Sequence, residues 1–157
     1  ELVFLPIYYQ EASIILKQAH DKEFAPIFFG CDGMDGILSV ENFDTSLAEG
    51  LMLLTPFSTT EESSKAFTEA YVAAYGIDPN QFAADTYDAM YIIKAAAEKA
   101  GVTPDMSASD ICEAMKTAMT EITFDGLTGE GMTWDADGEP TKAPKAMKIV
   151  DGAYTAM

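Results

Sequence analysis

The chain has 157 residues, 48% of them hydrophobic, enough for one ordinary domain with a real core. Its 26 acidic residues face nine basic ones, all Lys, for a formal charge of −17; such a surface repels nucleic acid and anionic lipid. The absence of Arg removes bidentate phosphate and carboxylate clamps, and no apolar run approaches the roughly 20 residues of a membrane span.

Leu2-Val3-Phe4-Leu5-Pro6-Ile7 is a continuous apolar run of the kind found in strands covered on both faces. It starts with no lead-in, which reads as a cut inside a larger protein and makes the lack of a leader uninformative. Gln10–His20 then places Ala12, Ile15, Leu16 and Ala19 at helical spacing. A second strand is expected at Pro26–Phe29, a short helix within Ser39–Leu47, and a third strand at Leu51–Thr55, ended by Pro56.

Helices dominate the next block. Thr59 or Thr60, followed by Glu61-Glu62, is expected to cap a helix carrying Phe67, Tyr71 and Ala74 that stops at Gly76. Phe82–Ala100 is the longest helix, stopped by Gly101, and Ser107 or Ser109 opens another bearing Ile111, Met115 and Met119. After that the period changes. Ile122–Phe124 and Gly131–Trp134 read as short strands, and Asp151-Gly152 between Ala146–Val150 and Ala153–Met157 is a strong hairpin signal. The order implies an α/β fold with a mostly parallel sheet flanked by helices and an antiparallel C-terminal hairpin. The helical block fits that sheet badly, so 56–60 and 126–131 are read as passages out of one globular unit and back.

Chemistry points to one place. Tyr8-Tyr9 and Phe29-Gly30-Cys31-Asp32-Gly33 each follow a strand directly, and in open parallel sheets ligands meet the loops at the carboxyl ends of strands. A phenol and a carboxylate there can hold an ammonium or a hydroxyl, with glycines admitting backbone amides; surface tyrosines and a turn Asp are the plain alternative. Phe82 and Tyr87 open a helix, either facing a ligand or packing on a neighbouring helix. Asp85 and Asp88 are expected only to favour the positive helix end. Asp135–Glu139 fails as a calcium loop, with Pro140 where the turn glycine belongs and Ala146 at the bidentate Glu position.

His20, the only histidine, sits in a last helical turn, so there is no metal cluster, and no glycine-flanked serine elbow exists either. Paired carboxylates such as Asp32 and Asp35 could in principle perform acid-base work, but nothing in the sequence marks them as buried. Cys31 and Cys112 match no ligand or redox spacing; two thiols or one disulfide both remain open. The chain is read as no enzyme, with no cofactor.

Several segments in colinear order carry a resemblance. Val3-Phe4-Leu5-Pro6-Ile7-Tyr8-Tyr9-Gln10-Glu11-Ala12, Gly30-Cys31-Asp32-Gly33, Tyr75-Gly76 with Pro79, Phe82-Ala83-Ala84-Asp85-Thr86-Tyr87-Asp88-Ala89, Phe124-Asp125-Gly126-Leu127-Thr128-Gly129 and Trp134-Asp135-Ala136-Asp137-Gly138 resemble the C-terminal half of branched-chain amino acid ABC transporter substrate-binding proteins. The resemblance implies a partial type I periplasmic-binding-protein fold. Residues 1–55 would belong to the second lobe, 56–125 to the first, and 126–157 to the crossover and return, with the upstream half of the usual protein absent.

It also implies that Tyr8 lines the cleft, that Asp32 pairs with the ligand's α-ammonium, and that Phe82 lies near its apolar side chain. Cys31 and Met34 stand where many relatives carry glycine and a large aromatic, so they are counted with the ligand-binding residues. The implied partners are an amino acid or related zwitterion and an ABC-transporter permease, at an extracytoplasmic location. A homodimer through exposed sheet edges is a further expectation, and a structural or regulatory module that has lost its ligand is the alternative function.

Overall fold

The computed structural model describes residues 1–157 in two compact units. The first comprises Glu1–Gln81 and Pro144–Met157, the second Phe82–Ala143.

The first unit is built on β1 (Leu2–Leu5), α1 (Tyr9–Asp21), β2 (Ile27–Gly30), β3 (Met52–Thr55), α2 (Lys65–Tyr75), β4 (Lys145–Val150) and β5 (Ala153–Ala156). Strand order in space follows the chain, β1-β2-β3-β4-β5. The β1–β2 and β2–β3 pairings are parallel and the last two antiparallel, so the sheet is mixed. The hairpin forms at Asp151-Gly152, whose φ angles of 51° and 74° match the twist of the flanking strands.

Strand alternation sends Leu5, Leu53, Met147 and Ile149 to one face, where they meet Ala12 and Leu16 of α1 together with Met34 and Ile37. The buried positions of α1, Ala12, Leu16 and Ala19, recur at four- and three-residue spacing and form its core stripe. Each fully buried Leu or Ile here contributes about 2 kcal/mol of apolar burial.

Two local expectations fail for identifiable reasons. Between β2 and β3 the chain makes short 3₁₀ turns at Asp32–Met34, Ile37–Ser39 and Thr45–Ala48 instead of one helix over 39–47. Asn42 at φ 60° interrupts that span, and Asp44 caps the last turn by accepting from the Ser46 amide at 3.0 Å. Thr59 and Thr60 likewise do not cap α2. The Thr60 and Ser58 hydroxyls bond to each other at 2.9 Å, while Ser64 donates back to the Ser58 carbonyl, so the helix starts only at Lys65. It ends at Gly76, φ 73°, as expected.

The second unit contains nearly all of α3 (Gln81–Ala100) and all of α4 (Ala108–Met119). Ser107 caps α4, accepting from the Asp110 amide at 3.2 Å. Beyond it, only isolated bridges form, Phe124 with Met132 and Trp134 with Pro140, where short strands were expected. The compact units divide at Gln81–Phe82 and Ala143–Pro144. Residues 56–81 stay with the sheet because Lys145 bonds Glu61 at 2.6 Å and Asp35 accepts from the Gln81 amide at 2.7 Å.

Candidate functional site

The parallel register sets Leu5 beside Gly30, so the chain leaves β1 and β2 at the same end of the sheet. Tyr8 follows β1 as the residue preceding α1, and Cys31-Asp32 follows β2 at the start of the 3₁₀ turn. Gly33 locks the two exits together. A methyl carbon built on it would lie 2.9 Å from the Ile7 carbonyl oxygen and 3.3 Å from the Tyr8 ring, so only glycine permits this approach. Tyr8 is 63% exposed, Asp32 is exposed and Cys31 half-buried. A phenol, a carboxylate and a thiol therefore share one open rim at the carboxyl ends of adjacent parallel strands, where backbone geometry favours ligand contact.

Met34 does not join them. Its side chain folds over Gly30, where an added methyl would meet it at 2.7 Å, and it is wholly enclosed in the core. Sequence position placed it one residue from the rim, but the 3₁₀ turn rotates it inward. Phe82, half-buried, stands at the start of α3 in the second unit.

The two acids of the loop have separated. Asp32 faces solvent, whereas Asp35 is 5% exposed. Its carboxylate accepts from the Gln81 amide at 2.7 Å and from Thr55 Oγ1 at 3.3 Å, so it fixes the loop to the end of β3 and the first residue of α3. Burial raises its pKa above the ordinary carboxylate value, outweighing the lowering effect of hydrogen bonds from Gln81, Thr55, Gly36 and Tyr154. Burial also pushes the Tyr154 phenol upward, with Asp35 adding to the effect, while its hydroxyl accepts from the Gly36 amide at 3.1 Å. With its oxygens engaged in this way, Asp35 is a brace and not an acid-base group. It borders a recess of about 410 Å³ together with Thr55, Phe57, Asn80 and Tyr154. Nothing in the sequence distinguished Asp35 from Asp32, since both are acids in one glycine-rich turn.

Asp88 does more than favour the positive end of its helix. It is 2% exposed and accepts from the Leu127 and Thr128 amides at 3.0 and 2.9 Å and from Thr128 Oγ1 at 2.7 Å, pinning the 126–128 turn to α3. Asp135 accepts from the amides of Asp137 and Glu139, both at 2.9 Å, as a solvent-exposed turn does. No group of three or more His, Cys, Asp or Glu side chains is placed to hold a metal, and Cys31 and Cys112 are free thiols. No helix is long and apolar enough to cross a membrane.

No curated protein sequence is significantly similar to the chain. Solved structures are. The branched-chain amino acid transporter substrate-binding protein LivJ from Streptococcus pneumoniae, in complex with isoleucine, superposes with a TM-score of 0.78 at 28% identity, covering 99% of this chain and 43% of that one. The leucine-binding protein LivK from Thermotoga maritima gives 0.77 at 24% identity, with the same coverage of 99% and 43%. A Rhodopseudomonas palustris solute-binding protein in complex with benzoate gives 0.79 at 17% identity, covering 99% of this chain and 42% of that one, a likeness of fold alone. The chain thus spans less than half the length of these structures. The profile of the periplasmic binding protein family matches residues 8–153, almost the whole sequence, and with the mixed sheet and paired strand exits already described the chain belongs to that non-catalytic, solute-binding family as a partial type I domain.

Proposed function

We propose that this chain is part of an extracytoplasmic solute-binding protein that captures an amino acid or a related small zwitterion and delivers it to an ABC-transporter permease. The observation that carries the reading is the seating of Gly33 against Ile7 and Tyr8, which couples the exposed Asp32 turn to the Tyr8 exit. In this reading Asp32 offsets the α-ammonium through a charge-assisted hydrogen bond and the Tyr8 phenol donates or accepts beside it. Cys31 borders the ligand in this reading. On the same reading Glu1–Gln81 and Pro144–Met157 serve the second lobe and Phe82–Ala143 the first, the bounds of the two compact units. The isoleucine complex of the Streptococcus pneumoniae relative supports the ligand class. Capture breaks no bond, so the site needs complementary charge and apolar enclosure but no activated group.

The test is isothermal titration with isoleucine, leucine and a wider amino acid panel, on wild type and Asp32→Ala. A charge-assisted bond is worth about 1.5–3 kcal/mol, so the variant should lose on the order of 10- to 100-fold in affinity with its circular dichroism unchanged. Equal affinity in the two proteins removes Asp32 from the site. Wild type binding no member of the panel would favour an interaction module without a ligand.

A further inference from the structure

Tyr154 reaches from the far edge of the sheet to the turn that carries Asp32. β5 is an outer strand, paired only with β4, and of its four residues only Tyr154 is withdrawn from solvent. The ring packs against the core, and its partner across the strands is the fully buried Ile149. At the tip, the hydroxyl accepts from the Gly36 amide at 3.1 Å, 118 residues away in the chain, and donates to the Asp35 carboxylate. A phenol can fill both roles at once.

Both contacts fall where the Cys31–Gly36 backbone has least freedom. Gly36 is buried with φ 104°, and a methyl carbon built on it would lie 3.1 Å from Asn80 Nδ2 and 3.4 Å from the Tyr9 ring, so the peptide sits tightly between those two residues. The turn itself is closed by two backbone bonds, from the Met34 amide to the Cys31 carbonyl at 3.0 Å and from the Asp35 amide to the Asp32 carbonyl at 3.1 Å. Asp35 therefore connects Tyr154 to Asp32 within one residue. Its carboxylate accepts from the phenol, and its amide donates to Asp32. Gln81 and Thr55 hold the same carboxylate, whereas the Gly36 amide is held by Tyr154.

We infer that Tyr154 is a positioning residue for the solute site, its hydroxyl holding Asp35 and Gly36 and, through them, the turn that presents Asp32. A single 3₁₀ turn has poor hydrogen-bond geometry and little stability of its own. Asp32 is exposed, so the turn must be held from its buried side. Without the hydroxyl, the buried Gly36 amide has no acceptor and recovers one only by swinging toward water, which unwinds the segment. The C-terminal hairpin thus acts on the site although it contributes no residue to the rim. The placing of the turn stands without any ligand; its effect on affinity rests on the reading of Asp32 as the partner of the α-ammonium.

The experiment compares wild type with Tyr154→Phe, which keeps the ring and removes only the hydroxyl. Hydrogen exchange by NMR should show the Met34, Asp35 and Gly36 amides accelerated on the order of tenfold more than the Leu16 amide of α1, which reports global opening. Acceleration confined to Gly36, or none, overturns the inference, because the turn is then not held through Tyr154. Thr155→Val, an exposed neighbour on β5, should leave these amides unchanged; equal loosening would assign the effect to the hairpin and not to the hydroxyl. Titration with leucine should show roughly fivefold weaker binding by Tyr154→Phe, and no further loss when the substitution is added to Asp32→Ala. An equal loss in both backgrounds means that Tyr154 does not act through Asp32 and also overturns the inference. Loosened turn amides in a protein that binds no amino acid defeat the ligand reading alone. Leucine binding by wild type, with turn amides unmoved in Tyr154→Phe, defeats this inference alone.

Discussion

Replacing Asp35 tests whether one buried carboxylate braces the loop that carries Asp32. In Asp35→Ala the Gln81 amide loses its 2.7 Å acceptor at the first residue of α3. Thr55 Oγ1 loses a 3.3 Å partner but keeps the Gln81 Oε1 atom at 3.1 Å and the Phe57 carbonyl at 3.4 Å. The main cost is therefore one orphaned buried donor at a helix N-terminus, about 1–3 kcal/mol, partly offset because a desolvated carboxylate is no longer buried. A net loss of about 2 kcal/mol at pH 7 is expected, and less for Asp35→Asn, whose carbonyl can still accept from Gln81. The pH dependence has a defined sign. Burial raises the native Asp35 pKa above its ordinary 3.8, so the folded protein holds this proton more tightly than the unfolded chain. Its contribution is full below about pH 4 and is lost as pH rises through the native pKa. The stability gap between wild type and Asp35→Asn should accordingly narrow from pH 4 to pH 7. Urea unfolding followed by circular dichroism at several pH values measures it. A gap that widens with pH, or Asp35→Ala within about 0.5 kcal/mol of wild type throughout, would refute the brace.

Two further substitutions probe the site and the second unit. Gly33→Ala puts a methyl 2.9 Å from the Ile7 carbonyl oxygen, forcing the backbone apart at a cost of about 1–3 kcal/mol; chemical denaturation should show the loss, and titration a weakened ligand affinity as Tyr8 and Asp32 separate. Asp88→Asn replaces one acceptor oxygen with a donor facing the 126–128 turn, so about 2 kcal/mol of stability should go, and the Leu127 and Thr128 amides, bonded at 3.0 and 2.9 Å, should exchange faster by NMR while α4 amides do not change.

Element order and the two strand exits were legible because they rest on local rules. β-branched runs, the 3.6-residue stripe of α1, the glycine stop at Gly76 and the Asp151-Gly152 hairpin are each decided within a few residues. The rim followed from these, since any residue directly after a strand of a parallel sheet emerges at its carboxyl end. Local rules also misled: the Ser58 and Thr60 hydroxyls bonded each other and Ser64 the Ser58 carbonyl instead of capping α2, and a left-handed Asn42 broke the Ser39–Leu47 span that read as helix.

By itself, the sequence determined the class of fold, the acidic surface with no arginine clamp, and the two strand exits bearing Tyr8 and Asp32. Only tertiary structure decided which neighbouring residues share that rim. Burial is a property of the folded neighbourhood and not of residue type, so Asp32 and Asp35, three positions apart and chemically identical, became a surface charge and an interior brace, while Met34 between them turned into the core. For the same reason Asp88 could not be told from an ordinary helix-start acid until the 126–128 turn, some forty residues on, folded back over it.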